Sequence, residues 1–137
     1  FDFMEFAAND DKDNTPSTPC ISLIYGLDCQ LQRFFAEGLE ARWERHRIMA
    51  ERTRNWVLEH GFELFAPEGV RSVTLTSVAN SRGVDLAAIK KQLSEKGYAF
   101  DDGYGKIKGK TFRIAHMGDL QPAELEEFLA VLEGELR

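Results

Sequence analysis

In the stretch KTFRIAHMGD, Lys110 to Asp119, an arginine stands between two large apolar residues. The run reads as a strand. Alternation puts Phe112, Ile114 and His116 on one face and Thr111, Arg113 and Ala115 on the other. Phe112 and Ile114 call for a core. Arg113, flanked by two small residues, is left uncovered on the opposite face. From spacing alone two readings are open: a guanidinium in water, where arginine usually sits, or one that receives an anion.

Other groups with chemical potential are weaker. The segment TPSTP offers three hydroxyls, Thr15, Ser17 and Thr18, on a stretch stiffened by two prolines. Such a loop can hold a phosphate, but its hydroxyls more commonly cap the following helix, and Thr18 ahead of Pro19 suits an N-cap. GYGKIKGK tempts a phosphate-loop reading. Those loops need a helix N-terminus directly after the glycines, and here a strand follows. The glycines instead let the backbone turn tightly and pass close to something, a ligand included. Lys106, Lys108 and Lys110 alternate along one side of that hairpin. His46, His60 and His116 show no metal-ligand spacing, so no metal site is expected. No serine has a nucleophile-elbow context. Cys20 and Cys29 match no zinc or redox spacing and read as buried or idle thiols in a reducing cytoplasm.

The elements that must position these groups follow from periodicity. FDFMEF at 1–6 reads as the tail of a strand. With no initiator methionine ahead of it, a piece of a longer protein is expected. A polar loop over 7–19 leads to a helix carrying Ile21, Ile24, Leu27, Leu31 and Phe34 or Phe35, closed by Gly38. A longer amphipathic helix runs from about Leu39 to His60, with the stripe Leu39, Trp43, His46, Ala50, Thr53 and Val57. Phe62–Phe65 and Ser72–Ala79 read as strands, the second β-branched and alternating. Asp85 opens a helix carrying Leu86, Ile89 and Leu93. Tyr98–Phe100 is a brief strand, then comes the strand of Arg113. Pro122 starts a last helix with Leu125, Phe128, Leu129, Leu132 and Leu136 inside. This order predicts an α+β domain, a small mostly antiparallel sheet with helices on one face.

At 137 residues, 43% hydrophobic and 29% charged, the chain is long enough for one core. Its net charge of −6 gives no broad electrostatic reason to bind nucleic acid. No apolar run approaches the roughly 20 residues of a membrane span, so no membrane partner is expected.

Taken as a set, NTPSTPCISLIYGLD, EGLEARWERHR, GVD before a helix and GYGKIKGKTFRIAHMGD resemble the C-terminal part of class V pyridoxal-phosphate aminotransferases. The nearest likeness is to the alanine–glyoxylate, serine–glyoxylate and serine–pyruvate group. The resemblance spans about residues 14–133, and its last motif is the most specific. It implies a fold-type-I enzyme whose large domain carries pyridoxal 5′-phosphate on a lysine, with 1–20 as the end of a large-domain strand and an interface loop, and 21–137 as the small domain. It implies that Arg113 binds the substrate's α-carboxylate, for which a planar two-point fork is the suited group. It implies that Thr15, Ser17 and Thr18 reach the cofactor phosphate of a neighbouring subunit in a cytoplasmic homodimer. A tyrosine that some relatives carry just upstream is missing here. None of the lysines at 12, 90, 91, 96, 106, 108 or 110 has the setting of the cofactor lysine, so no catalytic residue is expected in this chain. The parent would move an amino group from an alanine- or serine-type donor to a 2-oxo acid, and this piece alone would be inactive. The competing reading is a free-standing α+β module that binds a small effector without chemistry.

Overall fold

A computed structural model describes residues Asp2–Leu136, which fall into two compact units, 1–39 and 40–137. None of its helices is long and apolar enough to cross a membrane.

The first unit holds α1 (Phe3–Asp10) and α2 (Ile21–Glu37). The strand expected over 1–6 is therefore a helix from Phe3 on, and Phe1 lies outside the described residues. Asp2 is the reason: its backbone is extended and its side-chain oxygen accepts from the amides of Met4 and Glu5, an N-cap that commits the next residues to helix. Apolar residues at 1, 3, 4 and 6 satisfy both periods, so the cap decides. α2 begins and ends where its periodicity and Gly38 place it. Its N-cap is Cys20, with no side-chain bond. Thr18 does not cap it. Both cysteines are free and exposed, not buried.

The second unit contains α3 (Leu39–Glu59), β1 (Glu63–Leu64), β2 (Leu75–Ala79), α4 (Leu86–Glu95), β3 (Asp101–Asp102), β4 (Thr111–Ala115) and α5 (Pro122–Glu135). The strands form one antiparallel sheet in the order β1-β2-β4-β3. Val78, Phe112 and Ile114 share a core with Met49, Trp56 and Val57 of α3, Leu86, Ile89 and Leu93 of α4, and Leu125, Leu129 and Leu132 of α5. The α+β class and the helices on one sheet face are as the periodicity predicts.

Three details differ. The buried face of α3 runs through Arg42, His46, Met49, Ala50, Thr53, Trp56 and Val57, while Trp43 is 63% exposed. The stripe is thus rotated by about one residue at its start, where Arg42 is drawn in by Asp119 at 3.1 Å. Pairing of β3 begins at Asp101, not Tyr98, because the Tyr98 amide is taken by the Leu93 carbonyl as α4 closes through Gly97 at φ +84°. The glycine-rich stretch forms a 3-10 turn at Gly105–Ile107 instead of a simple hairpin, so its lysines do not alternate along a strand. The close approach expected there is internal: a Cβ on Gly103 would run into the Thr111 hydroxyl and the Ile107 carbonyl.

α5 starts as its sequence requires, with Pro122 in the first turn and a capping box between Gln121 and Glu124. Arg52 of α3 grips Glu126 of α5 through Nε and Nη2 at 2.6 and 2.9 Å.

His116, the residue after β4, is fully shielded, with Nε2 2.9 Å from the Thr76 hydroxyl. Burial pushes its pKa from 6.5 down to about 4. Above 6.5 both folded and unfolded chains hold it neutral. As pH falls through the window from 6.5 to about 4, the unfolded chain takes up the proton and the folded chain does not. Stability is therefore expected to fall there, by at most about 1.4 kcal/mol per pH unit from this group. Urea unfolding at stepped pH should show that slope in the wild type and a flatter one in His116→Gln. Equal slopes would show that other groups cause it.

Candidate functional site

The register of β4 fixes where Arg113 stands. It is opposite Ser77 on β2 and Asp101 on β3, on the sheet face away from the helices. Its neighbours Phe112 and Ile114 are 0% and 1% exposed, so the strand cannot turn over without emptying the core. The Arg113 side chain itself is 26% exposed. It belongs neither to the core nor to bulk water.

The guanidinium carbon lies 4.5 Å from the centre of the Tyr104 ring, a distance suited to cation–π attraction. Nη2 is 3.7 Å from Asp101 Oδ2. That is an ion pair but too long for a hydrogen bond. Nε is buried and has no hydrogen-bond partner among the described residues. A fork with five N–H groups is thus held flat by an aromatic ring, with no hydrogen bond made to any described acceptor. An arginine left this way is prepared for a planar anion.

Asp101 does not neutralise the site alone. Lys90 Nζ donates to Asp101 Oδ1 at 2.6 Å, and this bond, with the attraction of the same ammonium, holds the Asp101 carboxyl below its usual range. Asp101 is thus shared between two cations, Arg113 and Lys90, with Asp102 also acting on Lys90. Alternation along β4 revealed the face of Arg113. Asp101, Lys90 and Tyr104 were not anticipated, because cross-strand register and the fold of the 3-10 turn leave no local signal.

The hydroxyl segment belongs to the first unit. Thr15, Ser17 and Thr18 are all exposed in the loop before α2. The Thr15 hydroxyl donates to the Ser17 carbonyl at 2.8 Å, which ties the loop together and commits that proton internally. The hydroxyls of Ser17 and Thr18 bond to no described residue. Just beyond them α2 begins without a side-chain cap; the Leu23 amide donates to the Cys20 carbonyl at 3.0 Å, and the amides of Ile21 and Ser22 have no described acceptor. Two free hydroxyls beside an uncapped helix start suit a phosphate. All seven lysines are exposed, and two of them, Lys90 and Lys96, are tied in ion pairs to Asp101 and Glu135.

No family model matches the chain. It is 38% identical over 125 residues to an uncharacterized aminotransferase of Methanocaldococcus jannaschii, a match covering 90% of this chain and 32% of the relative. It is 39% identical over 113 residues to the serine–glyoxylate aminotransferase of Methylorubrum extorquens, covering 80% of this chain and 28% of the relative. Among solved structures, the alanine–glyoxylate aminotransferase of a Nostoc species superposes with a TM-score of 0.78 at 30% identity, over 88% of this chain and 33% of that one. The chain thus spans about a third of the length of the curated relatives it matches.

Proposed function

The chain belongs to the class V aminotransferase family, and on that premise we propose that it is the substrate-carboxylate-binding, C-terminal part of an amino-transferring enzyme. The enzymes of this family depend on pyridoxal 5′-phosphate. The donor is a small amino acid of the alanine or serine type and the acceptor a 2-oxo acid such as glyoxylate or pyruvate, as the names of the relatives suggest. The observation that carries the reading is Arg113: a partly buried guanidinium, stacked on Tyr104, with no hydrogen bond to any described acceptor.

In this account Arg113 takes the α-carboxylate of donor and acceptor in turn through two parallel hydrogen bonds, fixing the direction in which the α-carbon points. Tyr104 keeps the fork flat. Lys90 keeps Asp101 from competing for it. The cofactor, when bound, supplies the electron sink for breaking the α-carbon's bond to hydrogen. Ser17, Thr18 and the open start of α2 hold its phosphate, in a homodimer where that loop serves the neighbouring subunit. The lysine that carries the cofactor lies outside this chain, whose own lysines are all exposed. Residues 21–137 make up the small domain, and the chain on its own does not transaminate.

Amino transfer by the complete enzyme is the test. L-alanine or L-serine with glyoxylate or pyruvate should give the exchanged products. Binding of a small acid without turnover by cofactor-loaded protein would support an effector-binding module instead. For the phosphate contacts, a Ser17→Ala, Thr18→Ala double variant should weaken cofactor binding about tenfold or more, since hydrogen bonds to a charged group contribute roughly 1.5–3 kcal/mol. Titration of the apoenzyme, followed by cofactor absorbance, reads this directly. Unchanged affinity would remove the two hydroxyls from the site.

A further inference from the structure

A cavity of about 170 Å³ in the second unit has two arginines on its wall, Arg54 from α3 and Arg71 from the loop before β2. Its apolar lining comes from Leu64, Ala66, Val70 and Leu75; Arg113 is not on its wall, but Ser77, paired with Arg113 across β2 and β4, is. Each arginine makes one hydrogen bond to a backbone carbonyl: Arg54 Nη2 donates to Ser72 O at 2.9 Å and Arg71 Nε to Ala66 O at 3.1 Å. These bonds fix both guanidinium groups against the loop and leave their other N–H groups without a described acceptor. Neither arginine forms an ion pair with a described carboxylate. Both are half-buried, where an uncompensated charge costs more than on an open surface.

Two fixed guanidinium groups beside an apolar wall call for a ligand that is anionic at one end and hydrocarbon at the other. A cavity of roughly 150 Å³ accommodates a molecule the size of benzene, which sets the scale. We propose that this cavity binds a small organic monocarboxylate of about five to seven carbon atoms, its charged end on Arg54 and Arg71 and its chain against Leu64, Val70 and Leu75. The site goes beyond amino transfer and rests on Arg54 and Arg71, although its wall reaches Ser77, the cross-strand neighbour of Arg113.

The test is a two-dimensional NMR titration of the 137-residue chain with pentanoate, set beside 1-pentanol as its neutral counterpart. Pentanoate should bind saturably in the millimolar range, shifting amides near Val70–Ser72 and Leu75–Ser77. Pentanol should bind about tenfold more weakly, because it forgoes the charge-assisted bonds. Arg54→Gln and Arg71→Gln should each weaken pentanoate by a similar factor, Arg71→Lys less so, and Arg113→Gln, one strand beyond the wall, should weaken it less than either. The acid–alcohol comparison needs no variant, so a misfolded substitution cannot hide the answer. Equal binding of acid and alcohol, or no saturable binding, would overturn the proposal. Loss of binding in Arg113→Gln alone would also overturn it, while leaving the amino-transfer reading intact.

Discussion

Arg113→Ala is expected to lower kcat/KM for amino transfer by about 30-fold to several thousand-fold, with little change in thermal stability. Truncating one partner of a buried, paired charge typically costs on the order of 2–5 kcal/mol, and each ~1.4 kcal/mol is a factor of ten in rate. The substrate carboxylate would lose its two-point partner in the ground state and the transition state alike. The fold loses little, because the guanidinium makes no hydrogen bond to a described residue, only a long ion pair with Asp101, and faces away from the helices. Its stacking on the exposed Tyr104 ring is worth only about 0.5–1 kcal/mol. Arg113→Lys keeps the charge but not the planar fork, so it should fall between wild type and alanine. Steady-state kinetics paired with thermal melts check both halves. Wild-type kinetics in the alanine variant would return Arg113 to a solvated, structural role.

One residue earlier the opposite result is expected. Phe112 is fully buried, in edge contact with Phe62 at 5.2 Å and beside Phe100 at 5.5 Å between ring centres. Phe112→Ala should cost about 3–5 kcal/mol through lost transfer energy and the cavity left behind. Against a total stability of about 5–15 kcal/mol, that is a large share. Equilibrium urea unfolding should show the midpoint drop steeply with an unchanged slope. A loss under about 1 kcal/mol would mean that the core closes over the gap, contrary to the close packing assigned to it. Adjacent residues with opposite phenotypes, one on stability and one on turnover, follow from the two faces of a single strand.

That division was legible because a strand has a period of two: Phe112 and Ile114 specify the face of Arg113 without any tertiary knowledge. The helices after residue 20 were legible for the same kind of reason, with Gly38, Asp85 and Pro122 marking their ends. Where local signals conflict, the sequence misleads. FDFMEF fits both periods, and only the Asp2 cap shows that a helix begins at Phe3. Trp43 looks like a core residue but stands beside Arg42, which a long-range partner, Asp119, pulls inward. Asp101, Lys90 and Tyr104 come to Arg113 through sheet register and the 3-10 turn, 12, 23 and 9 residues away in sequence. Contacts of that kind depend on which strands pair, and no local pattern encodes them. The paired arginines of the cavity escaped notice similarly, since Arg54 and Arg71 look like ordinary surface charges in their own segments.

The most direct measurement of the Arg113 assignment varies enzyme and substrate together. The complete enzyme and its Arg113→Ala variant are each assayed with L-alanine and with L-alaninamide, which lacks the carboxylate. Wild type should prefer the acid over the amide by about the same 30-fold to several thousand-fold factor that the substitution removes. In Arg113→Ala that preference should collapse to within a few-fold, the amide being used no worse than by wild type. If the variant keeps the full preference for the carboxylate, another group grips it and the role assigned to Arg113 is wrong.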